Sequence, residues 1–185
     1  MATDNLEEIK AKIKVVKLLI LDVDGVFTNG AFYMNGSGKE YKKFCAKDGL
    51  GVGLLKAADF PIAIISGKHS EATSYRMKDL GVTEDVYQGQ LNKIESYNVI
   101  KNKYKLDDSE IAYAGDDLID LPILKRVGAP MCVPDATDEV KEASLYVTKN
   151  SGGNGAVREI IDLILKTQNK YLTAAEKLVG YKKEQ

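Results

Sequence analysis

The sequence predicts an α/β protein with a Rossmann-like parallel sheet and helices on both faces of that sheet. Short aliphatic runs alternate with helical segments along most of the chain, and the connections between them are short. The first aliphatic run, residues 15–21, has the composition of a strand that is buried on both faces. Such alternation is typical of βαβ units, in which consecutive strands run parallel and the crossover helices cover the sheet.

The remaining elements follow in a regular order. A leading helix is predicted over residues 5–12, and residues 31–44 predict a β-hairpin because the Asn-Gly and Ser-Gly pairs within them suit a tight turn. Further strands are predicted over residues 61–65, 86–88, 111–114, 130–133 and 145–147, and helices over residues 50–58, 71–80, 93–104, 118–127, 137–143 and 157–165. The polar tail 166–185 is expected to lie outside the core, so residues 1–185 form a single domain with its core at about 15–165.

The composition excludes several classes of function. Lys and Arg number 26 and Asp and Glu number 27, and this net charge of −1 argues against a general nucleic-acid-binding protein, which needs a basic excess. The N-terminal stretch lacks the apolar segment of a signal peptide, and the apolar runs are too short to span a bilayer. The two cysteines, Cys45 and Cys132, are far apart and are expected to be free thiols. We therefore expect a cytoplasmic protein without a nucleic-acid or membrane partner.

Polar residues with catalytic potential follow four of the predicted strands. They are Asp22 and Asp24, Ser66 and Gly67, Lys93, and Asp116 and Asp117. In an open parallel sheet, ligands bind beyond the carboxyl ends of the strands, so these residues are expected to meet at one edge. Each motif by itself also fits a purely structural role, such as a helix cap or an acidic turn. Their order, each after its own strand, favours a common site.

The chemistry of these residue types points to phosphoryl transfer. Several carboxylates at one edge repel each other unless a cation lies among them, and Mg²⁺ suits a few carboxylates together with phosphate oxygens. One aspartate can attack phosphorus, while a second, two residues later, can transfer the proton as general acid and base. A hydroxyl, a backbone N–H and an ammonium group can hold the phosphoryl oxygens.

Four motifs resemble those of the haloacid dehalogenase superfamily. They are DVDGVFTNG, the Ser-Gly after an aliphatic strand, a downstream lysine, and GDDLIDLP. The short hairpin in place of a cap domain resembles the capless subfamily of this group. The resemblance implies that Asp22 is the nucleophile and a Mg²⁺ ligand, that Asp24 is the acid/base and lends its carbonyl to the metal, and that Asp116 completes the metal site. It also implies that Asp117 supports the metal ligands without contacting the metal itself.

The same resemblance implies a substrate and a set of binding residues. Ser66, Gly67 and Lys93 would contact the phosphate. The residues that would contact the sugar acid are Asp24, Cys45, Ala46, Lys47, Asp48, Gly49, Lys68 and Arg76. Family members often carry Arg at the position of Lys47 and also at that of Asn154, so both departures concern recognition of the sugar acid.

The resemblance thus implies a Mg²⁺-dependent phosphatase of a phosphorylated eight-carbon keto sugar acid, in lipopolysaccharide precursor synthesis. It also implies a homotetramer in which a neighbour's hairpin or C-terminal segment covers the open site. Alternatives are a phosphatase for a nine-carbon, sialic-acid-type phosphate and a non-catalytic assembly module.

Overall fold

The computed structural model describes residues 2–182, with side chains described from Leu6 onward. The last three residues of the predicted tail lie outside the described residues. The strands are β1 (Leu18–Leu21), β2 (Tyr33–Met34), β3 (Glu40–Tyr41), β4 (Ile62–Ile65), β5 (Val86–Tyr87), β6 (Ile111–Gly115), β7 (Ala129–Cys132) and β8 (Tyr146–Val147). The helices are α1 (Ala2–Lys14), α2 (Ala46–Ala57), α3 (Glu71–Asp79), α4 (Lys93–Tyr104), α5 (Leu121–Leu124), α6 (Asp138–Glu142), α7 (Ala156–Thr167) and α8 (Tyr171–Val179).

Six strands form one parallel sheet in the order β5-β4-β1-β6-β7-β8. Strand β1 is central and pairs with both β4 and β6, and all four of its residues are buried. Burial on both faces explains why this segment is wholly aliphatic. Helices α1, α2, α7 and α8 pack together in one group, while α4, α5 and α6 pack in another. The predicted fold class, a parallel α/β sheet with a hairpin, is confirmed, and residues 2–182 contain no cap domain.

The predicted hairpin is also present. Strands β2 and β3 pair antiparallel, and Asn35 Oδ1 accepts hydrogen bonds from the backbone N–H groups of Ser37 and Lys39 in the turn between them. Gly38 in the same turn has φ +80°, a conformation that glycine adopts at little cost.

The helix predicted over residues 118–127 is broken into two pieces. Leu118–Asp120 is a 3₁₀ turn, and α5 follows it with Pro122 in its first turn. The side chain of Asp120 turns back to accept hydrogen bonds from the backbone of Asp116 and Asp117, which tightens this segment into a capping box.

Helix α2 begins four residues before its predicted start and contains three glycines. A Cβ at Gly51 would lie 3.2 Å from Cα of Arg158 on α7, so the glycine permits a close approach of the two helices. The tail differs from the prediction as well, because α8 lies against α2 with Ala174 and Ala175 buried. Apolar residues recur through YLTAAEKLV at helical spacing, and this pattern is the sequence signal for the packing that the prediction overlooked.

Within residues 2–182, no helix combines the length and the apolar character that crossing a membrane requires.

Candidate active site

The carboxyl ends of the central strands bring three aspartates together. Asp22 directly follows β1 and Asp116 directly follows β6, and these strands pair in parallel with Leu21 opposite Ala114. Carboxylate oxygens of Asp22, Asp116 and Asp120 all lie within 4.8 Å of one another. The predicted convergence of acids at one sheet edge therefore occurs for Asp22 and Asp116, and Asp120 joins them.

Lys93, the first residue of α4, is the cation of this cluster. Its Nζ lies 2.7 Å from Asp22 Oδ1 and 2.7 Å from Asp120 Oδ1, and the side chain is completely buried. Burial disfavours the ammonium ion, but the charges of Asp22 and Asp120 outweigh it and raise the pKa of Lys93 above its ordinary value. Lys93 is therefore charged, with its ammonium group facing the cluster.

Asp120 organises the loop that carries Asp116. Its Oδ2 accepts hydrogen bonds from the backbone N–H groups of Asp116 at 2.9 Å and Asp117 at 3.2 Å, and its Oδ1 accepts one from the hydroxyl of Tyr113. A Cβ at Gly115 would lie 2.3 Å from Asp120 Cγ, so this glycine makes room for the carboxylate.

Asp117 does not occupy the supporting position predicted for it. Its side chain is exposed and accepts a hydrogen bond from the backbone N–H of Leu118 at 2.7 Å. The buried acid behind the cluster is Asp120 instead. Sequence reasoning assigned Asp120 no role, although its position in GDDLID, three residues after a second aspartate, is a capping-box signal.

The cluster has an excess of negative charge. Burial, together with the charge of Asp120, raises the pKa of Asp22 to about 6, although Lys93 opposes this change. Burial, followed by the charges of Asp22 and Asp120, raises the pKa of Asp116 to about 8. Three carboxylates thus face one ammonium group, an arrangement that a divalent cation would neutralise.

The atoms at the cluster also fit a cation. Asp22 Oδ1 is buried, and it forms an ion pair of 2.7 Å with Lys93 at the edge of the cluster. Gly25 has φ +90° and lies directly against the carboxylate of Asp116. A Cβ at this position would lie 1.9 Å from Asp116 Oδ2, so the absence of a side chain makes room for the carboxylate. Hard oxygen ligands on a buried, negatively charged edge are what Mg²⁺ requires.

Asp24 lies beside the cluster and contacts the hairpin. Lys42, just after β3, places its Nζ 2.7 Å and 2.8 Å from the two carboxylate oxygens of Asp24. Thr28 Oγ1 donates to Asp24 Oδ1 at 3.4 Å. The hairpin therefore contacts the candidate site of the same chain, through Lys42 and Asp24. Sequence reasoning missed Lys42, since it is one of three lysines in KEYKKF and nothing in that pattern distinguishes it.

Ser66, Gly67 and Lys68 follow β4, the other neighbour of β1. Ser66 is buried and its Oγ donates to the carbonyl of Lys68 at 3.1 Å. A Cβ at Gly67 would lie 2.9 Å from Ile119 Cδ1, which shows that this turn packs against the loop after β6. Lys68 forms an ion pair with Glu40 of the hairpin, and its Nζ lies 3.9 Å from the ring centre of Phe32.

The residues predicted to contact a sugar acid separate into two groups. Cys45 occupies the N-cap position of α2 without a side-chain capping hydrogen bond, and Ala46 and Lys47 are exposed on the first turn of this helix. Asp48 is buried instead, and its Oδ1 accepts a hydrogen bond at 2.8 Å from the backbone N–H of Arg158. Burial raises the pKa of Asp48. Asp48 thus links α2 to α7.

Gly49 and Arg76 lie close together, since a Cβ at Gly49 would stand 2.4 Å from Arg76 Nη2. The guanidinium of Arg76 pairs with Asp79 at 2.7 Å. Lys47 and Asn154, the two departures from the family pattern, line the same cavity of about 410 Å³. The two positions at which this chain differs from the family pattern therefore lie in the same cavity.

Comparison with known proteins identifies a family. Residues 64–161 match the family described as haloacid dehalogenase-like hydrolase. The chain is 40% identical over 163 residues to the 3-deoxy-D-manno-octulosonate 8-phosphate phosphatase of Escherichia coli strain K12, covering 88% of this chain and 86% of that protein.

Solved structures of proteins with the same activity in their names are also similar to this chain. The enzyme of that name from Moraxella catarrhalis, in complex with magnesium, phosphate and KDO, superimposes with a TM-score of 0.87 at 39% identity, covering 90% of this chain and 95% of the other. The cobalt-bound deoxy-D-mannose-octulosonate 8-phosphate phosphatase from Haemophilus influenzae superimposes with a TM-score of 0.82 at 36% identity, covering 86% and 93%.

Proposed function

This chain belongs to the haloacid dehalogenase-like hydrolases, and we propose that it is a Mg²⁺-dependent phosphatase of 3-deoxy-D-manno-octulosonate 8-phosphate, producing KDO and inorganic phosphate. The observation that carries the proposal is the cluster of Asp22, Asp116, Asp120 and Lys93 at the carboxyl edge of the sheet. It combines a carboxylate nucleophile, a cation site and a buried ammonium group.

The metal would be held by the carboxylates of Asp22 and Asp116 and by the backbone carbonyl of Asp24. When bound, Mg²⁺ supplies positive charge that offsets the repulsion between these acids and the charge of the phosphoryl oxygens. Asp120 would keep Asp116 in place, since it accepts the hydrogen bond of the Asp116 backbone N–H.

In the first half-reaction, a carboxylate oxygen of Asp22 attacks phosphorus and the bond from phosphorus to the sugar oxygen breaks. The leaving oxygen takes its proton from Asp24, which stands two residues further along. The product is an aspartyl-phosphate on Asp22 and a free sugar acid. Lys93 would hold a phosphoryl oxygen together with Ser66 and the backbone N–H of Gly67.

In the second half-reaction, a water molecule attacks the phosphorus of the aspartyl-phosphate. Asp24, now ionised, accepts the proton of this water, and the bond from phosphorus to Asp22 breaks. Inorganic phosphate leaves and both aspartates return to their initial states. The same carboxyl group thus acts first as acid and then as base.

The sugar acid would be recognised by residues around the mouth of the site. Lys68 and Arg76 are cations that can bind its carboxylate. Cys45, Ala46, Lys47 and Gly49 are the other candidates, whereas Asp48 is buried against α7. Because Lys47 and Asn154 depart from the family pattern in one cavity, a nine-carbon sialic-acid-type phosphate is the second candidate substrate.

Phosphate release across a panel of sugar phosphates tests the proposal. We expect the highest kcat/KM for the eight-carbon substrate, loss of activity in excess EDTA and recovery with Mg²⁺. A higher kcat/KM for the nine-carbon phosphate would change the substrate but leave the chemistry. Release from none of the sugar phosphates would contradict the proposal and favour a non-catalytic assembly module.

We also infer that the chain forms a homotetramer and acts in the cytoplasm. Support for assembly comes from apolar side chains on the hairpin that are exposed in the single chain, namely Phe32, Tyr33, Met34 and Tyr41. Light scattering after size-exclusion chromatography measures the oligomer size, and a monomer at micromolar concentration would contradict the inference.

A further inference from the structure

Lys42 is an unusual lysine because its side chain is completely buried on a short surface hairpin. Its Nζ contacts both carboxylate oxygens of Asp24, at 2.7 Å and 2.8 Å, and Thr73 Oγ1 at 3.3 Å. Glu40 Oε1 lies 3.6 Å from the same nitrogen, and the ring centre of Phe32 lies 5.3 Å from it. Burying an ammonium group is costly unless it is paired, and Asp24 supplies the shortest contacts.

Docking of the hairpin does not by itself explain Lys42. Glu40, on β3, already joins the hairpin to the turn after β4, through an ion pair with Lys68 and a hydrogen bond of 2.7 Å from Ser70 Oγ. Lys42 instead reaches the loop after β1, where it contacts the proposed acid/base. Its two contacts restrict the carboxylate of Asp24 to one orientation, since each oxygen faces the same nitrogen.

We propose that Lys42 is a positioning residue that holds Asp24 in the orientation needed to protonate the leaving sugar oxygen. This inference rests on the proposed function, in which Asp24 gives its proton to that oxygen as the bond to phosphorus breaks. Lys42 makes and breaks no covalent bond and transfers no proton. The hairpin thereby contributes to the chemical step through the contact of Lys42 with Asp24.

Leaving groups of different basicity separate this role from a structural one. A sugar alkoxide is strongly basic and needs a proton as it leaves, whereas p-nitrophenolate leaves without one. The comparison uses kcat/KM, because this quantity covers steps only up to phosphoryl transfer and excludes the later hydrolysis of the aspartyl-phosphate.

The variant Lys42→Met removes the ammonium group and keeps a chain of similar length. We expect kcat/KM for the sugar phosphate to fall at least about tenfold, within the roughly 10²–10⁴-fold range of general acid catalysis, with p-nitrophenyl phosphate changed less than about threefold. Lys42→Arg, which keeps a cation beside Asp24, should restore most of the activity. Lys39→Met, an exposed lysine of the same hairpin, is the matched control and should leave both substrates unaffected.

Each other outcome has a defined meaning. An equal loss for both substrates, or no loss for either, would overturn the positioning role. If Lys42→Met fails to fold by circular dichroism, Lys42→Gln is measured in the same way and judged by the same criterion. Wild-type protein that hydrolyses neither substrate would overturn the proposed function itself, and with it the reaction that Lys42 serves.

Discussion

Lys93 Nζ lies 2.7 Å from Asp120 Oδ1, and neither side chain is exposed to solvent. The lysine starts α4 and the aspartate ends the turn after β6, so this ion pair joins a helix start to a turn at the carboxyl edge of the sheet. It aims the ammonium group at Asp22 while the other oxygen of Asp120 holds the backbone of Asp116. One contact therefore connects the proposed nucleophile, the phosphate-binding lysine and a proposed metal ligand.

Replacement of Asp120 by alanine should destabilise the protein strongly. Lys93 would remain buried without one of its two partners, and two backbone N–H groups would lose their acceptor, so we expect a loss of about 3–5 kcal/mol in the free energy of unfolding. Urea denaturation measures this loss. Asp117→Ala, which removes only an exposed cap, should cost about 0.5–2 kcal/mol. Equal losses in the free energy of unfolding for the two substitutions would contradict a buried Asp120 and an exposed Asp117.

Replacement of Asp22 by asparagine should abolish turnover and preserve the fold. The amide is nearly isosteric with the carboxyl group but cannot form the aspartyl-phosphate, so kcat should fall by roughly 10⁴-fold or more. Burial already raises the pKa of Asp22, so a neutral side chain is tolerated there and the melting temperature should not fall. Phosphate release and thermal denaturation are the measurements. The control is Asp138→Asn, whose side chain is 94% exposed on α6. Retention of full activity in the Asp22 variant would contradict the mechanism.

Replacement of Gly25 by alanine should weaken metal binding. The new methyl group would stand 1.9 Å from Asp116 Oδ2, and the backbone there has φ +90°, so the loop and the carboxylate cannot both keep their places. We expect Mg²⁺ affinity and kcat/KM each to fall by at least about tenfold, a conservative figure for displaced metal ligands. Calorimetric titration with Mg²⁺ tests this. Gly36→Ala on the hairpin tip, where a Cβ meets nothing within 4 Å, should bind the metal normally.

The metal-free protein should lose stability as the pH rises. The pKa values of Asp22 and Asp116 are raised from 3.8 to about 6 and about 8, so the folded chain holds these protons more tightly than the unfolded chain does. The contribution of these two protons to the free energy of unfolding is complete below about pH 4. It is lost as the pH rises through the two raised pKa values. Measured in EDTA from pH 5 to pH 9, the free energy of unfolding of wild type should fall relative to that of Asp116→Asn, which lacks one of the two titrating groups.

Bound Mg²⁺ should oppose the loss of stability that the metal-free protein shows as the pH rises. Its ligands must be deprotonated, so the stabilisation by a fixed Mg²⁺ concentration should grow between pH 6 and pH 8. Thermal denaturation with and without Mg²⁺ measures the difference at each pH. Stabilisation that is independent of pH over this interval would argue that the ion binds away from Asp22 and Asp116.

Local patterns in the sequence predict most of the elements. The aliphatic runs and their spacing give the strands, and α4 begins and ends at its predicted residues, 93 and 104. The same patterns predict that Asp22 and Asp116 meet, because both directly follow strands of one parallel sheet. These inferences depend on the periodicity of side chains and on chain direction, which are properties of short segments.

Packing between distant segments decides the rest. Lys42 and Asp24 are 18 residues apart, and only the docked hairpin reveals which of its lysines reaches the acid. The choice of Asp120 over Asp117 as the buried partner of Lys93 depends on how the turn after β6 folds back on itself.

Patterns within short segments therefore specify the sheet, the order of elements along the chain and the residue types at the carboxyl edge. Which charged groups are buried together, and where α8 packs, follows only from the folded chain. Side-chain periodicity acts within a segment, whereas ion pairing and desolvation depend on groups that folding brings within a few ångströms of each other.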